Sequence, residues 1–141
     1  MAPASPPVPD WAELRRAARA AAANAYAPYS GVSVGAAALV DDGRVISGCN
    51  VENASYGLTI CAECGVAQAL ALGGGGRLVA LAVVDGDGAY LAPCGRCRQV
   101  LYEFGGPELQ VLAGERVVVL DDLLPGAFGP DDLPPTARRS S

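Results

Sequence analysis

Apolar and polar positions divide the chain into short segments bounded by Gly, Pro and Asp. Asp10 followed by Glu13 reads as an N-cap with a reciprocal acidic partner, opening a helix through about Tyr26. Pro28, Ser30 and Gly31 stop it. Ser33 to Val40 is apolar and small, and Arg44 to Cys49 follows after Asp41-Asp42-Gly43, which predicts an antiparallel hairpin on a tight Asp-Gly turn. Ile60 to Leu72 is helical and ends at the glycines 73–76. Leu78 to Val84 is a continuous apolar run, the pattern of a strand buried on both faces. Cys94 to Phe104 is a third helix, closed by Gly105-Gly106. Leu109 to Leu112 and Arg116 to Leu120 read as strands, and Asp121 to Leu124 as a last helical turn.

Strands separated by helices imply parallel pairing through right-handed crossovers, with helices on both faces. The expected fold class is α/β, a three-layer α/β/α sandwich on a mixed five-stranded sheet. No repeat or linker interrupts the 141 residues, so one domain over 1–141 is expected. Its polar, Pro-rich ends, 1–9 and 130–141, are expected to be poorly ordered.

Composition removes whole classes of chemistry. There is no His, so a Ser-His-Asp triad, a Cys-His pair and an imidazole base are all excluded. Every basic residue is Arg, which removes Schiff-base and P-loop lysines. The net charge of -5, with no basic stripe, argues against binding a nucleic-acid polymer. No apolar stretch is long enough to span a membrane, and Met1 to Pro9 lacks the basic start and apolar core of a signal peptide. Five cysteines, an odd number without an export signal, suggest reduced thiols and a cytoplasmic location.

Two segments remain to carry chemistry, Cys61-Ala62-Glu63-Cys64 and Pro93-Cys94-Gly95-Arg96-Cys97. Paired C-x2-C spacings are by arithmetic a structural four-cysteine zinc site, and Gly65 after Cys64 matches a zinc knuckle. Buried free cysteines packing as small hydrophobes are the blander alternative. Structural knuckles usually sit in hairpins, whereas each pair here opens a helix, where the dipole favours thiolate. Cys97 lies one turn after Cys94, on the same side. Three thiolates suffice for zinc and leave a fourth position open, as a catalytic zinc requires. Glu63 lies within reach as a proton shuttle.

At these residues the sequence resembles the zinc-dependent cytidine deaminases of the small homotetrameric class. The likeness runs from about Trp11 to Leu133 and includes Ala27-Pro28-Tyr29-Ser30, Val34-Gly35-Ala36-Ala37, Gly48-Cys49-Asn50-Val51-Glu52-Asn53 and Leu124-Pro125-Gly126-Ala127-Phe128. It implies one Zn²⁺ per subunit on Cys61, Cys94 and Cys97, with Glu63 as the acid–base. It places Asn50 and Glu52 on the ribose, the Ala54 backbone on the pyrimidine carbonyl and Tyr56 near the sugar of a neighbouring site. Phe128 would cross a subunit boundary to pack on the base of a homotetramer's shared site. The implied activity is hydrolytic deamination of cytidine and 2′-deoxycytidine to the uridine product and ammonia, a step of pyrimidine salvage. Deamination of an analogue such as blasticidin S and a non-catalytic four-cysteine zinc protein are the alternatives. Two positions depart from the family pattern. Cys64 stands where Arg is common and Arg96 where a small residue is, so Arg96 is expected to restore the lost charge near the thiolates. Val32 stands where the family often carries Phe against the substrate.

Overall fold

The computed structural model describes residues 5–137, so the expectation of poor order for 1–4 and 138–141 lies outside the described residues. Within the expected irregular tail, Pro130–Asp132 and Pro135–Ala137 form 3-10 turns.

Helix α1 spans Trp11–Ala22 and begins where Asp10 accepts a hydrogen bond from the Glu13 N–H at 3.1 Å. Only this half of the expected capping box forms among the described residues. The helix ends before Tyr26 because the next backbone groups pair elsewhere. Tyr26 donates to the Asn50 carbonyl at 3.0 Å and accepts from the Glu52 N–H at 2.8 Å. Tertiary pairing here overrides the helix propensity of the alanine run.

Strands β1 (Val34–Val40), β2 (Val45–Cys49), β3 (Leu78–Asp85), β4 (Gln110–Ala113) and β5 (Arg116–Val119) form one mixed sheet in the order β2-β1-β3-β4-β5. The hairpin β1–β2 is antiparallel and β3–β4 is parallel, as the pattern predicts. The crossover from β2 to β3 differs. Both strands run antiparallel to β1, which sits between them, so they share a direction without touching. Burial explains the insertion: β1 is buried from Gly35 to Val40 and needs a neighbour on each side, whereas β2 is half-exposed and serves as an edge.

Helix α1 packs Leu14 and Ala18 against Ala37, Leu39, Ala80, Ala82 and Val84 on one face. Helices α2 (Ala62–Leu72) and α3 (Gly95–Gly105) cover the other, where Val66, Leu70 and Leu101 meet Ala36, Ala38, Leu81 and Val83. Three layers result, as expected. A one-turn helix α4 (Leu120–Leu123) follows β5.

One close approach fixes the start of α2. A Cβ on Gly48 of β2 would lie 2.5 Å from the Ala62 carbonyl oxygen, and one on Gly65 would lie 3.1 Å from the Gly48 Cα. Two facing glycines let backbone touch backbone there, and this seats the helix turn that carries Glu63.

Candidate active site

Cys61 and Cys94 are the N-caps of α2 and α3, one residue ahead of the helical positions the sequence suggests. The sulfurs of Cys61, Cys94 and Cys97 all lie within 4.8 Å of one another. Cys64, the fourth member of the paired spacing, is not in this group. No carboxylate joins the three thiols among the described residues. Three soft donors at helix starts fit one zinc ion, whose bonds to sulfur are about 2.3 Å, and leave room for a fourth, non-protein ligand.

The thiols differ in their surroundings. Burial pushes the Cys97 thiol far up, and the charge of Glu63 adds to it. Burial likewise raises Cys61. Burial also opposes ionisation of Cys94, but the Cys97 backbone N–H and the thiols of Cys97 and Cys61 outweigh it, so its pKa falls below the ordinary thiol value. Cys94 is the exposed member at a helix start, where free N–H groups favour thiolate.

Glu63 follows two residues after Cys61 and is only 4% exposed. It lines a cleft beside the thiols, where a carboxylate can accept hydrogen bonds from a bound group. That cleft, about 200 Å³, is lined by Glu63, Cys61, Cys94, Asn50, Thr59 and apolar groups that include Val34, Val83 and Leu91. A second cleft of about 270 Å³ is lined by Tyr29, Ser30, Glu52, Asn53, Tyr56 and Thr59. Thr59 borders both, which makes one bipartite site beyond the ends of β2 and β3. Sequence reasoning missed Thr59; it lies two residues before Cys61 and has no motif of its own.

The remaining sequence-derived residues fall into distinct groups. Asn50, 8% exposed, spends its amide on the backbone: Oδ1 accepts from the Val34 N–H and Nδ2 donates to the Val32 carbonyl, each at 2.8 Å. Glu52 accepts from the Tyr29 N–H at 2.9 Å, the Ser30 N–H at 3.1 Å and the Ser30 hydroxyl. The Ser30 hydroxyl, followed by the Ser30 and Tyr29 N–H groups, holds its carboxyl below the usual value. The Tyr56 ring stands edge-on to Tyr29 at 5.9 Å. Ala54 and Val32 are exposed and line neither cleft, and Phe128 is 61% exposed and does not reach the clefts of its own chain.

Arg96 lies beside Cys64. Its guanidinium donates to the Thr59 carbonyl at 3.2 Å and lies 4.0 Å from the Cys64 sulfur. The contact with Cys64, and then the charge of Cys61, favours its protonated form. A cation from α3 thus stands beside Cys64.

A soft-donor metal site with a buried carboxylate in its cleft and no other base places the fold among metal-dependent hydrolases. Comparison with known proteins narrows the class. The family model described as the cytidine and deoxycytidylate deaminase zinc-binding region matches residues 10–113. Cytidine deaminase of Mycobacterium tuberculosis (strain H37Rv) is 65% identical over 129 residues, covering 92% of this chain and 97% of that one. Cytidine deaminase of Halalkalibacterium halodurans is 46% identical over 115 residues, covering 77% of this chain and 86% of that one. The crystal structure of the M. tuberculosis cytidine deaminase superposes with a TM-score of 0.85 at 65% identity, covering 86% of this chain and 99% of that one. This chain belongs to the cytidine and deoxycytidylate deaminase family.

Proposed function

We propose that this protein is a zinc-dependent enzyme that hydrolyses cytidine and 2′-deoxycytidine to uridine and 2′-deoxyuridine, releasing ammonia. The observation that carries the reading is a buried Glu63 lining the same cleft as Cys61 and Cys94 of the thiol cluster. Cys61, Cys94 and Cys97 would hold the metal, which when bound supplies a Lewis acid that lowers the pKa of water to about 7. Every proton transfer falls to Glu63. Its carboxylate takes a proton from the attacking water, delivers it to N3 of the ring, and passes a second proton to the amine leaving C4. Water adds at C4 and the C4–N bond breaks, so cytidine plus water gives uridine plus ammonia. No other acid or base lines the first cleft apart from the thiols committed to the metal.

The second cleft suits the sugar. Glu52 would accept from a ribose hydroxyl, and Asn50, beside the first cleft, would meet the sugar with the lone pair and N–H that its two backbone bonds leave over. Ser30 and the backbone around it keep the Glu52 carboxyl ionised for that purpose. The Ala54 backbone would meet the pyrimidine carbonyl from the loop above. The acidic net charge of -5 supports a free nucleoside rather than a polymer. An ultraviolet assay reads the reaction directly. Cytidine absorbance should be lost, a chelator should stop the loss, and added Zn²⁺ should restore it. A chelator-insensitive rate, or no turnover of cytidine, refutes the reading.

The surface supports an assembly of several copies. Tyr26, Tyr29, Val32, Tyr56, Leu58 and Ile60 are all exposed around the clefts, with Tyr56 at 75%. An apolar patch of this kind marks a protein interface. Phe128, exposed on its own chain, would close the pocket of a neighbouring copy and stack on the base. A closed symmetric tetramer gives every site such a neighbour. Light scattering should therefore give a particle near four times 14.2 kDa; an active monomer overturns this assembly. No helix among the described residues is long and apolar enough to cross a membrane. Five free thiols, three of them needed reduced, suit the cytoplasm.

A further inference from the structure

The arm that carries Phe128 is gripped by α3, the helix that carries Cys97. Arg98 donates from Nε to the Pro93 carbonyl at 2.9 Å and from a terminal nitrogen to the Leu123 carbonyl at 2.8 Å. Pro93 immediately precedes Cys94, so this one side chain ties the metal loop to the end of α4. The next residue, Gln99, donates from Nε2 to the Phe128 carbonyl at 2.8 Å. A third contact follows at Gly129, where an added Cβ would lie 2.4 Å from the Tyr102 ring. Tyr102 belongs to α3 too, so the arm lies flat along that helix.

Beyond Gly129, whose N–H donates to the Asp132 carboxylate at 2.8 Å, few bonds set where Phe128 points. The chain from 124 to 129 has no regular structure, contains Pro125, and takes a positive φ of 65° at Gly126. Past the Leu124 N–H, none of the backbone groups from 125 to 128 pairs with another backbone group among the described residues. The Phe128 ring has no cleft of its own chain to rest in. A side chain presented from such a segment has its direction set by the few bonds that tie the backbone down.

We infer that Gln99 is the positioning residue for Phe128: its hydrogen bond to the Phe128 carbonyl, with Gly129 seated on Tyr102, orients the ring that closes a neighbouring copy's pocket. The inference rests on the reading of Phe128 given above. It makes α3 a carrier for two sites, its own metal site through Cys97 and the neighbour's pocket through Gln99. Gln99 is exposed, so loss of this bond leaves the core and the metal loop unchanged.

Gln99→Glu tests it with almost no change of shape, because a carboxylate cannot donate to a carbonyl; Gln99→Lys returns a donor at that position. Loss of one neutral hydrogen bond is worth about five-fold. Gln99→Glu should raise the KM for cytidine by about that factor, with kcat and zinc content unchanged, and Gln99→Lys should recover most of it. Phe128→Ala should raise KM on its own, and adding Gln99→Glu to it should add nothing, since both act through one ring. If Phe128→Ala raises KM while Gln99→Glu does not, or if the two effects add, the positioning role is overturned and the reading of Phe128 stands. If Phe128→Ala leaves KM unchanged, the shared pocket itself is wrong and the positioning role falls with it. A Gln99→Glu variant that loses kcat and zinc together also overturns it, because the residue is then supporting the metal helix.

Discussion

Glu63→Gln should leave a folded, zinc-loaded protein that has lost nearly all turnover. General acid–base groups are worth about 10²–10⁴-fold, and a group that serves every transfer in one cycle reaches the upper end or beyond. The amide keeps the size of the carboxylate, so the tight seat between β2 and α2 is undisturbed. It cannot accept a proton, and the chain offers no substitute: there is no His, no Lys, and no second carboxylate lining the first cleft. Burial sharpens the expectation, because Glu63 is 4% exposed and bulk buffer has poor access to replace it. Rate and zinc content measured on one preparation decide the matter. A variant retaining a tenth of the parent rate would show that the protons travel by another route.

The second large effect separates the four cysteines. Cys97→Ser should lose zinc and with it all activity, whereas Cys64→Ser should keep both. Spacing makes the two positions equivalent; geometry does not. Cys97 is buried within 4.8 Å of both partner sulfurs, and Cys64 instead faces the Arg96 guanidinium. X-ray absorption should then count three sulfurs around the metal, and four would establish a structural site. Between these extremes lies Arg96→Ala. Three thiolates around Zn²⁺ would leave one net negative charge, and the Arg96 guanidinium feels the charges of Cys61 and Cys97, so its loss should weaken metal retention or activity by about 10–100-fold. Adding Cys64→Arg to that variant should restore the function. A neutral Arg96→Ala, or a double variant no better than the single, disproves the exchange.

How far the sequence reaches is clearest at particular residues. The two cysteine pairs, Cys61/Cys64 and Cys94/Cys97, were legible because ligand spacing and helix starts are local facts, set by covalent geometry and by the 3.6-residue turn. The three layers were legible too, since the unbroken apolar run of β3 and the helical pattern of α2 and α3 each state which faces must be buried. The role of Thr59 was not, because a residue that merely borders two clefts has no pattern of its own. Nor was Gln99, whose partner lies 29 residues away.

The sequence by itself determined the element types, the metal-ligand chemistry and the absence of any histidine or lysine alternative, because each depends on neighbouring residues or on composition. Only the tertiary structure decided that β1 lies between β2 and β3, since its burial on both sides is a property of the assembled sheet. It alone decided that Cys64 stands outside the sulfur cluster and beside Arg96, two side chains 32 positions apart. It alone buried Glu63 in the cleft beside the thiols and left Phe128 exposed on an arm tied to α3. Each of these is a long-range contact, and no local pattern records which distant group a side chain will meet.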